Sequence, residues 1–173
     1  MLKNKLAIIG GSGLYNIEGL SNVESFKIMT PWGDPSDELT KALFKSKEVI
    51  FLPRHGRGHF ISPTKINFRA NIDALKQLGV TDIVSISAVG SLKEDLEPGM
   101  FVIVDQFIDR TFARIKTFFD DDIVAHVSMA KPTSEGLMNA CEESIKSENI
   151  QYKRGATYLV MEGPQFSTLA ESN

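Results

Sequence analysis

Residues 51–59 read Phe51-Leu52-Pro53-Arg54-His55-Gly56-Arg57-Gly58-His59, an apolar run that stops at two arginines, two histidines and two glycines. A guanidinium presents a planar fork of donors that suits phosphate or carboxylate, and flanking glycines let the backbone approach a small ligand closely. Two readings stand on these residues alone: an anion site at the end of a strand, or a solvated basic loop. A second candidate is Gly10-Gly11-Ser12-Gly13, which follows the apolar run Leu6-Ala7-Ile8-Ile9. Such a turn can turn backbone N–H groups and the Ser12 hydroxyl toward an anion, or it is a plain tight turn. A dinucleotide fingerprint would need glycine where Asn16 stands, and a nucleophile elbow would need glycine where Leu14 stands. Ser12 is therefore a poor catalytic serine. A third small-residue loop, Ser87-Ala88-Val89-Gly90-Ser91, follows the apolar residues Ile83, Val84 and Ile86.

Other reactive side chains read as structural. Cys141 is the only cysteine, which excludes an intrachain disulfide, and its apolar-periodic segment fits a small buried hydrophobe better than a nucleophile. Asp120-Asp121-Asp122 reads as a solvated turn because no other ligand cluster lies near it, and no metal is expected. His126 stands alone. Near the chain's end, Glu162-Gly163-Pro164-Gln165-Phe166-Ser167-Thr168 forms a loop whose Phe166 either lies against a flat or sugar-like ligand or packs in the core.

The elements that must position these residues follow from periodicity. Leu6–Ile9 is apolar throughout, as in a strand buried on both faces. Thr30–Asp37 is turn chemistry, a loop or hairpin connection in which Trp32 either covers a pocket or anchors the loop. Residues 47–52 supply the strand that delivers Arg54 and His55. Ser62-Pro63 predicts a helix start, with Ile66, Ala70, Ile72, Leu75 and Leu78 along it and Gly79 as its stop. Val80–Ser87 reads as a strand, Glu97-Pro98-Gly99 as a turn, and Phe101–Val104 as a strand that leads through Asp105 to an irregular stretch opened by Asp109-Arg110-Thr111. Residues 134–148 predict an amphipathic helix capped by Ser134, with Leu137, Met138, Cys141 and Ile145 on one side. Residues 152–161 read as one further strand. Strands alternating with helices predict a single α/β domain over residues 1–173, with a central mixed, largely parallel sheet flanked by helices. In such sheets the loops after the strands converge on one edge, where ligands bind. Ser12, Arg54 and Ser87 each follow a separate strand, so all three are placed to meet one small anion.

Composition bounds the partners. The 173 residues, 42% hydrophobic and 24% charged, suit one globular domain with its own core. A net charge of −3 argues against nucleic-acid and membrane-surface partners and confines positive charge to a pocket. The N-terminal apolar run is too short for a signal peptide or a membrane span, so a cytoplasmic location is expected. The end at Ala170-Glu171-Ser172-Asn173 falls just inside a new helical segment and reads as cut short.

Seven motifs in order, Ile8-Ile9-Gly10-Gly11-Ser12-Gly13-Leu14, Thr30-Pro31-Trp32-Gly33-Asp34-Pro35-Ser36-Asp37, Arg54-His55-Gly56, Asn67-Phe68-Arg69-Ala70-Asn71-Ile72, Gly90-Ser91-Leu92, Asp105-Gln106-Phe107-Ile108-Asp109-Arg110-Thr111 and Glu162-Gly163-Pro164-Gln165-Phe166-Ser167, carry a resemblance. Together they resemble the trimeric purine nucleoside phosphorylase family and, within it, the methylthioadenosine phosphorylases. The resemblance implies that inorganic phosphate, as co-substrate, displaces adenine from C1′ of a small-molecule nucleoside, with no organic cofactor or metal, in a homotrimer. It assigns Ser12, Arg54, His55, Ser87 and the Ala88 backbone to phosphate, and Phe166 to the ribose. Ser167 stands where related purine nucleoside phosphorylases carry glutamate, which favours the methylthioadenosine branch; another base specificity is the alternative.

The resemblance also implies that family members continue past this loop. The methionine and threonine that meet ribose and phosphate, and the aspartates that bind adenine and protonate its leaving nitrogen, are expected beyond Asn173. The isolated 173 residues, the N-terminal portion of such a domain, are thus expected to show little or no phosphorolysis. A non-catalytic remnant that binds phosphate or pairs with another subunit is a second reading, and a dinucleotide-binding module a distant third.

Overall fold

The computed structural model describes residues 4–11, 17–120 and 122–173. Two compact units make up the chain, Met1–Ala88 with Ile115–Phe118, and Val89–Arg114 with Phe119–Asn173.

The first unit is built on a five-stranded mixed sheet. Its strands are β1 (Leu6–Gly10), β2 (Leu20–Phe26), β3 (Leu39–Phe44), β4 (Lys47–Pro53) and β5 (Asp82–Ser85), in the order β2-β3-β4-β1-β5. β1 pairs parallel with both β4 and β5, and β3 pairs antiparallel with β2 and β4. The two faces of the sheet explain the unbroken apolar runs. Ala7, Ile50 and Leu52 point to one face, where Leu39, Ala74 and Leu75 join them; Val49 and Phe51 point to the other, with Ala42, Ile8, Ile17 and Leu20. A strand covered on both sides has no polar face to display.

Helix α1 (Phe68–Gln77) covers the first of these faces through Ala74 and Leu75. Its start corrects the expectation from Ser62-Pro63. Pro63–Lys65 forms a short 3-10 turn in which the Ser62 side chain caps nothing, and Ile66 then returns to an extended backbone. The true N-cap is Asn67, whose Oδ1 accepts from the Ala70 N–H at 3.1 Å. Proline and serine fit either kind of turn; the side-chain acceptor three residues before a free N–H decides the helix. Ile66 is buried but outside the helix, and Ile72 lies on its exposed side. The stop is as expected: Gly79, at φ +77°, donates to the Lys76 carbonyl at 2.9 Å, and Val80 donates to that of Leu75 at 3.1 Å.

The second unit holds two parallel pairs, β6 (Phe101–Ile103) with β8 (Tyr152–Arg154), and β7 (Gln106–Asp109) with β9 (Thr157–Val160). The strand expected over 152–161 is therefore two. Gly155, at φ +80°, breaks it beside Asp105, where an added Cβ would meet the Asp105 Oδ2 at 3.3 Å. Helix α2 (Glu135–Ser147) has the expected cap, with the Ser134 Oγ accepting from Leu137, and its Leu137, Met138, Cys141 and Ile145 are half-buried. A last turn, α3 (Leu169–Ser172), starts at Thr168 with a capping box closed by Glu171. Strands β2, β3 and β7 were absent from the sequence-based expectation. The α/β class with a mixed sheet is the observed one, but the five-stranded sheet is parallel only across β4-β1-β5 and antiparallel across β2-β3-β4.

Candidate functional site

In the first unit β4, β1 and β5 run parallel and end on one edge. The ladder continues a residue past the strands, with the Arg54 N–H donating to the Gly10 carbonyl and the Ile86 N–H to that of Ile9, both at 2.9 Å. This registers Arg54, after β4, against Ser87, after β5, with the end of β1 between them. The Arg54 Nη1 donates to the Ser87 Oγ at 2.5 Å and to the Ile86 carbonyl at 3.4 Å. Arg54 is half-buried while Ser87 and Ala88 are exposed. A permanent cation with its stem held and its neighbours open to solvent suits a soluble anion. Two of the loops expected to share an edge do so; Ser12 lies outside the described residues.

His55 is fixed by the same loop. Its Nδ1 lies 2.8 Å from the Ile61 carbonyl oxygen, which only accepts, so Nδ1 carries the proton. Nε2 is left as an acceptor facing the Arg54 Nε–H at 3.4 Å. The ring stacks on His59 with centroids 4.3 Å apart. Gly56 shows why no larger residue fits between them. Its φ is +71°, and a Cβ there would lie 2.9 Å from the Phe60 ring and 3.1 Å from the Ser36 carbonyl oxygen. His59 was visible as part of the motif, but its stack on His55 was not, because aromatic pairing four residues apart in a loop leaves no periodic trace.

In the second unit the Glu162–Thr168 loop is tied at its base and open at its tip. The Glu162 Oε2, 8% exposed as a residue, accepts from the Phe112 and Ala113 N–H groups at 2.8 and 3.1 Å. Arg114 donates through Nη2 to the Met161 and Glu162 carbonyls at 3.2 and 2.9 Å. Phe166, in contrast, is 93% exposed, which overturns the reading of it as a core aromatic. Ser167 pairs with Ser172, Oγ to Oγ, at 2.8 Å. Glu171 accepts from the Thr168 N–H at 2.7 Å, and that bond holds its carboxyl below the usual range. The binding role of Glu162 within the loop escaped sequence reasoning. An acid at the end of an apolar strand was the available signal, but its partners lie about fifty residues earlier in the chain.

Elsewhere Trp32 takes the anchoring role, edge-on to Phe118 with centroids 5.2 Å apart and under the Arg69 guanidinium at 4.5 Å. Among the described residues no three His, Cys, Asp or Glu side chains gather as they would around a metal ion, and no helix is long and apolar enough to cross a membrane.

Residues 5–173 match the Phosphorylase superfamily. The chain is 57% identical over 171 residues to the S-methyl-5'-thioadenosine phosphorylase of Cereibacter sphaeroides, covering 99% of this chain and 59% of that protein. It is 58% identical over 168 residues to the protein of the same name from Rhodospirillum rubrum, covering 97% and 57%. A methylthioadenosine phosphorylase from an antarctic soil metagenomic library superposes with a TM-score of 0.95 at 49% identity, covering 99% of this chain and 61% of that one. The methylthioadenosine phosphorylase of Schistosoma mansoni in complex with adenine superposes at 0.92 and 35%, covering 98% and 69%. The chain thus spans under three fifths of the length of these two curated relatives.

Proposed function

Because the chain belongs to the phosphorylase superfamily and, within it, to the methylthioadenosine phosphorylases, we propose that its reaction is the phosphate-dependent cleavage of 5′-methylthioadenosine. The products are adenine and 5-methylthioribose 1-phosphate. The observation that carries this reading is the Arg54–Ser87 contact across the end of β1, which gathers donors for one anion at a single sheet edge. A phosphate oxygen attacks C1′ as the bond to the purine nitrogen breaks, and the bonding pair leaves with adenine, which takes up a proton. The sugar carries positive charge on the way, so catalysis rests on placing a weak nucleophile and stabilising charge rather than on an enzyme nucleophile. Cys141 and Ser12 are then not called on as nucleophiles.

Arg54 holds the phosphate dianion by charge-assisted bonds, with the Ser87 hydroxyl, the Ala88 N–H, His55 and Ser12 completing the cradle. Phe166 lies against the ribose, and Ser167 marks the methylthioadenosine branch. The general acid and the base-binding groups are assigned beyond Asn173, in the part of the relatives that this chain does not match. The proposal includes a homotrimer, no metal or organic cofactor, and a cytoplasmic setting. One charge-assisted hydrogen bond is worth roughly 1.5–3 kcal/mol, so Arg54→Ala is expected to weaken phosphate use about 10- to 150-fold.

Adenine release from methylthioadenosine, measured with and without phosphate in the intact enzyme, including the part of the relatives that this chain does not match, and in its Arg54→Ala variant, tests the proposal. Phosphate-dependent release lost in the variant supports it, and an unchanged phosphate dependence contradicts it. A second reading, phosphate binding without catalysis, is favoured by the fact that every residue assigned within the chain serves phosphate or sugar. Saturable phosphate binding with no adenine release would select it.

A further inference from the structure

The Thr30–Asp37 segment has no role in the site as assigned, yet it meets the anion loop at two points. The Arg57 N–H donates to the Asp37 Oδ2 at 2.5 Å, while the Oδ1 of the same carboxylate accepts from the Glu38 N–H at 2.8 Å. One residue earlier, the Ser36 carbonyl oxygen lies so close to Gly56 that a Cβ there would approach it to 3.1 Å. The segment is itself held firmly from α1. Ser36 and Asn71, 6% and 3% exposed, satisfy each other: the Ser36 N–H donates to the Asn71 Oδ1 at 2.7 Å, and the Asn71 Nδ2 donates to the Ser36 Oγ at 2.9 Å. Asn67 caps α1 with its oxygen and, through Nδ2, donates to the Trp32 carbonyl at 2.7 Å. A buried polar pair with matched partners is costly to disturb, because either member left alone loses its hydrogen bonds without regaining water.

We infer that Asp37 is a positioning residue for phosphate, transmitting the rigidity of α1 through Ser36 to the backbone at Gly56-Arg57 and so fixing where Arg54 and His55 stand. This rests on the reading of Arg54 as the phosphate ligand. The start of the loop is also held by the Arg54 N–H to the Gly10 carbonyl and by Arg54 Nη1 to Ser87 and Ile86, while Asp37 meets it at Arg57, whose Nη2 donates to the Thr40 Oγ1 at 3.2 Å. Arg54 and Ser87 must stand ready before phosphate arrives, and preorganisation of this kind is supplied by groups that never touch the ligand. The carboxylate is suited to the task because its two oxygens accept from two backbone N–H groups at once, which a single hydroxyl or amide oxygen does less well.

Calorimetric titration of the chain with inorganic phosphate, for wild type, Arg54→Ala, Asp37→Ala, Asp37→Asn and Ser134→Ala, tests the inference. Loss of one such tether is expected to weaken phosphate binding about 5- to 10-fold in Asp37→Ala, with Asp37→Asn in between and Arg54→Ala weaker still. Ser134→Ala removes a helix cap in the second unit and is expected to leave phosphate affinity at the wild-type value, which separates positioning from general destabilisation. The Arg54 Nε–H resonance is expected to broaden or move in Asp37→Ala without phosphate and to recover part-way in Asp37→Asn. Wild-type affinity in Asp37→Ala alongside a weakened Arg54→Ala overturns the inference and leaves the phosphate reading standing. Unchanged affinity in Arg54→Ala overturns both. If circular dichroism shows Asp37→Ala unfolded, Asp37→Asn decides by the same criteria.

Discussion

The two units solve the problem of holding a loop in opposite ways. Among the described residues, the buried apolar side chains all lie in the first unit, whereas the buried residues of the second are Thr111 and Glu162, both polar. The Arg54–His59 loop therefore stands on a sheet packed on both faces, and its charged side chain is braced before any ligand arrives. The Glu162–Thr168 loop is fastened by a carboxylate and a guanidinium at its base, and its Phe166 stands almost wholly in solvent. The lesson is that local packing alone can hold a charged side chain ready at a strand end, while an exposed aromatic gains its value only when something lies against it.

The largest effect that tests this contrast is expected at the core of the first unit. Leu52, 1% exposed, packs at the strand end that delivers Arg54, and Leu52→Ala is expected to cost about 2–5 kcal/mol in urea denaturation. A cost below about 1 kcal/mol would show that this face is not the close-packed support described. Gly56→Ala comes next. A positive φ and the approach to Phe60 and Ser36 together are expected to cost about 1–3 kcal/mol and to displace the loop, visible as lower thermal stability and weaker phosphate binding.

In the second unit the corresponding test is acid. Glu142 is held at about 2, against an ordinary 4.5, first by its hydrogen bond with Lys146 and then by Tyr152 and Arg154. Its folded value is depressed, so its contribution is fully present above about 4.5 and is lost as pH falls toward 2. Melting temperature is expected to decline over that window in wild type and to decline less in Glu142→Gln. Equal slopes would remove the network from the account of this unit. The smallest effect is expected from Phe166→Ala, within about 0.5 kcal/mol of wild type by thermal denaturation, since the ring buries almost nothing. A loss above about 1 kcal/mol would mean the ring is packed in solution.

Much of the first unit was legible because strands buried on both faces write themselves as apolar runs. β1 and β4 are of this kind, and the glycines and charged residues after them marked the strand ends; β5, an edge strand with no fully buried residue, showed itself by Ile83 and Val84 alone. β2, Leu20–Phe26, was not legible because it is an exposed edge strand interrupted by an irregularity between Ser21 and Glu24, with Asn22 at φ +50°. Exposure removes the apolar pattern, and a bulge removes the alternation. The start of α1 was misplaced because Ser62-Pro63 satisfies the local rules for a helix start as well as for a 3-10 turn, and only the Asn67–Ala70 bond separates them. The break at Gly155 had only the glycine itself as a signal, and a lone glycine in a strand pattern marks a bulge as readily as a break. Arg54 and Ser87 could each be named from their loops, but their meeting depends on strand order, which sets β4 and β5 on either side of β1. The Asp37–Arg57 bond, which joins distant segments, left no local sign, and the Glu162–Phe112 bond left only an acid at the end of an apolar strand.

The most direct test of the central claim is a titration of the isotopically labelled chain with inorganic phosphate, followed by amide and Arg Nε–H resonances. The expected result is a saturable shift concentrated at Arg54 Nε–H, His55, Ser87 and Ala88 and lost in Arg54→Ala. Shifts scattered over exposed lysines, or no saturable change at the β1–β4–β5 edge, would contradict it.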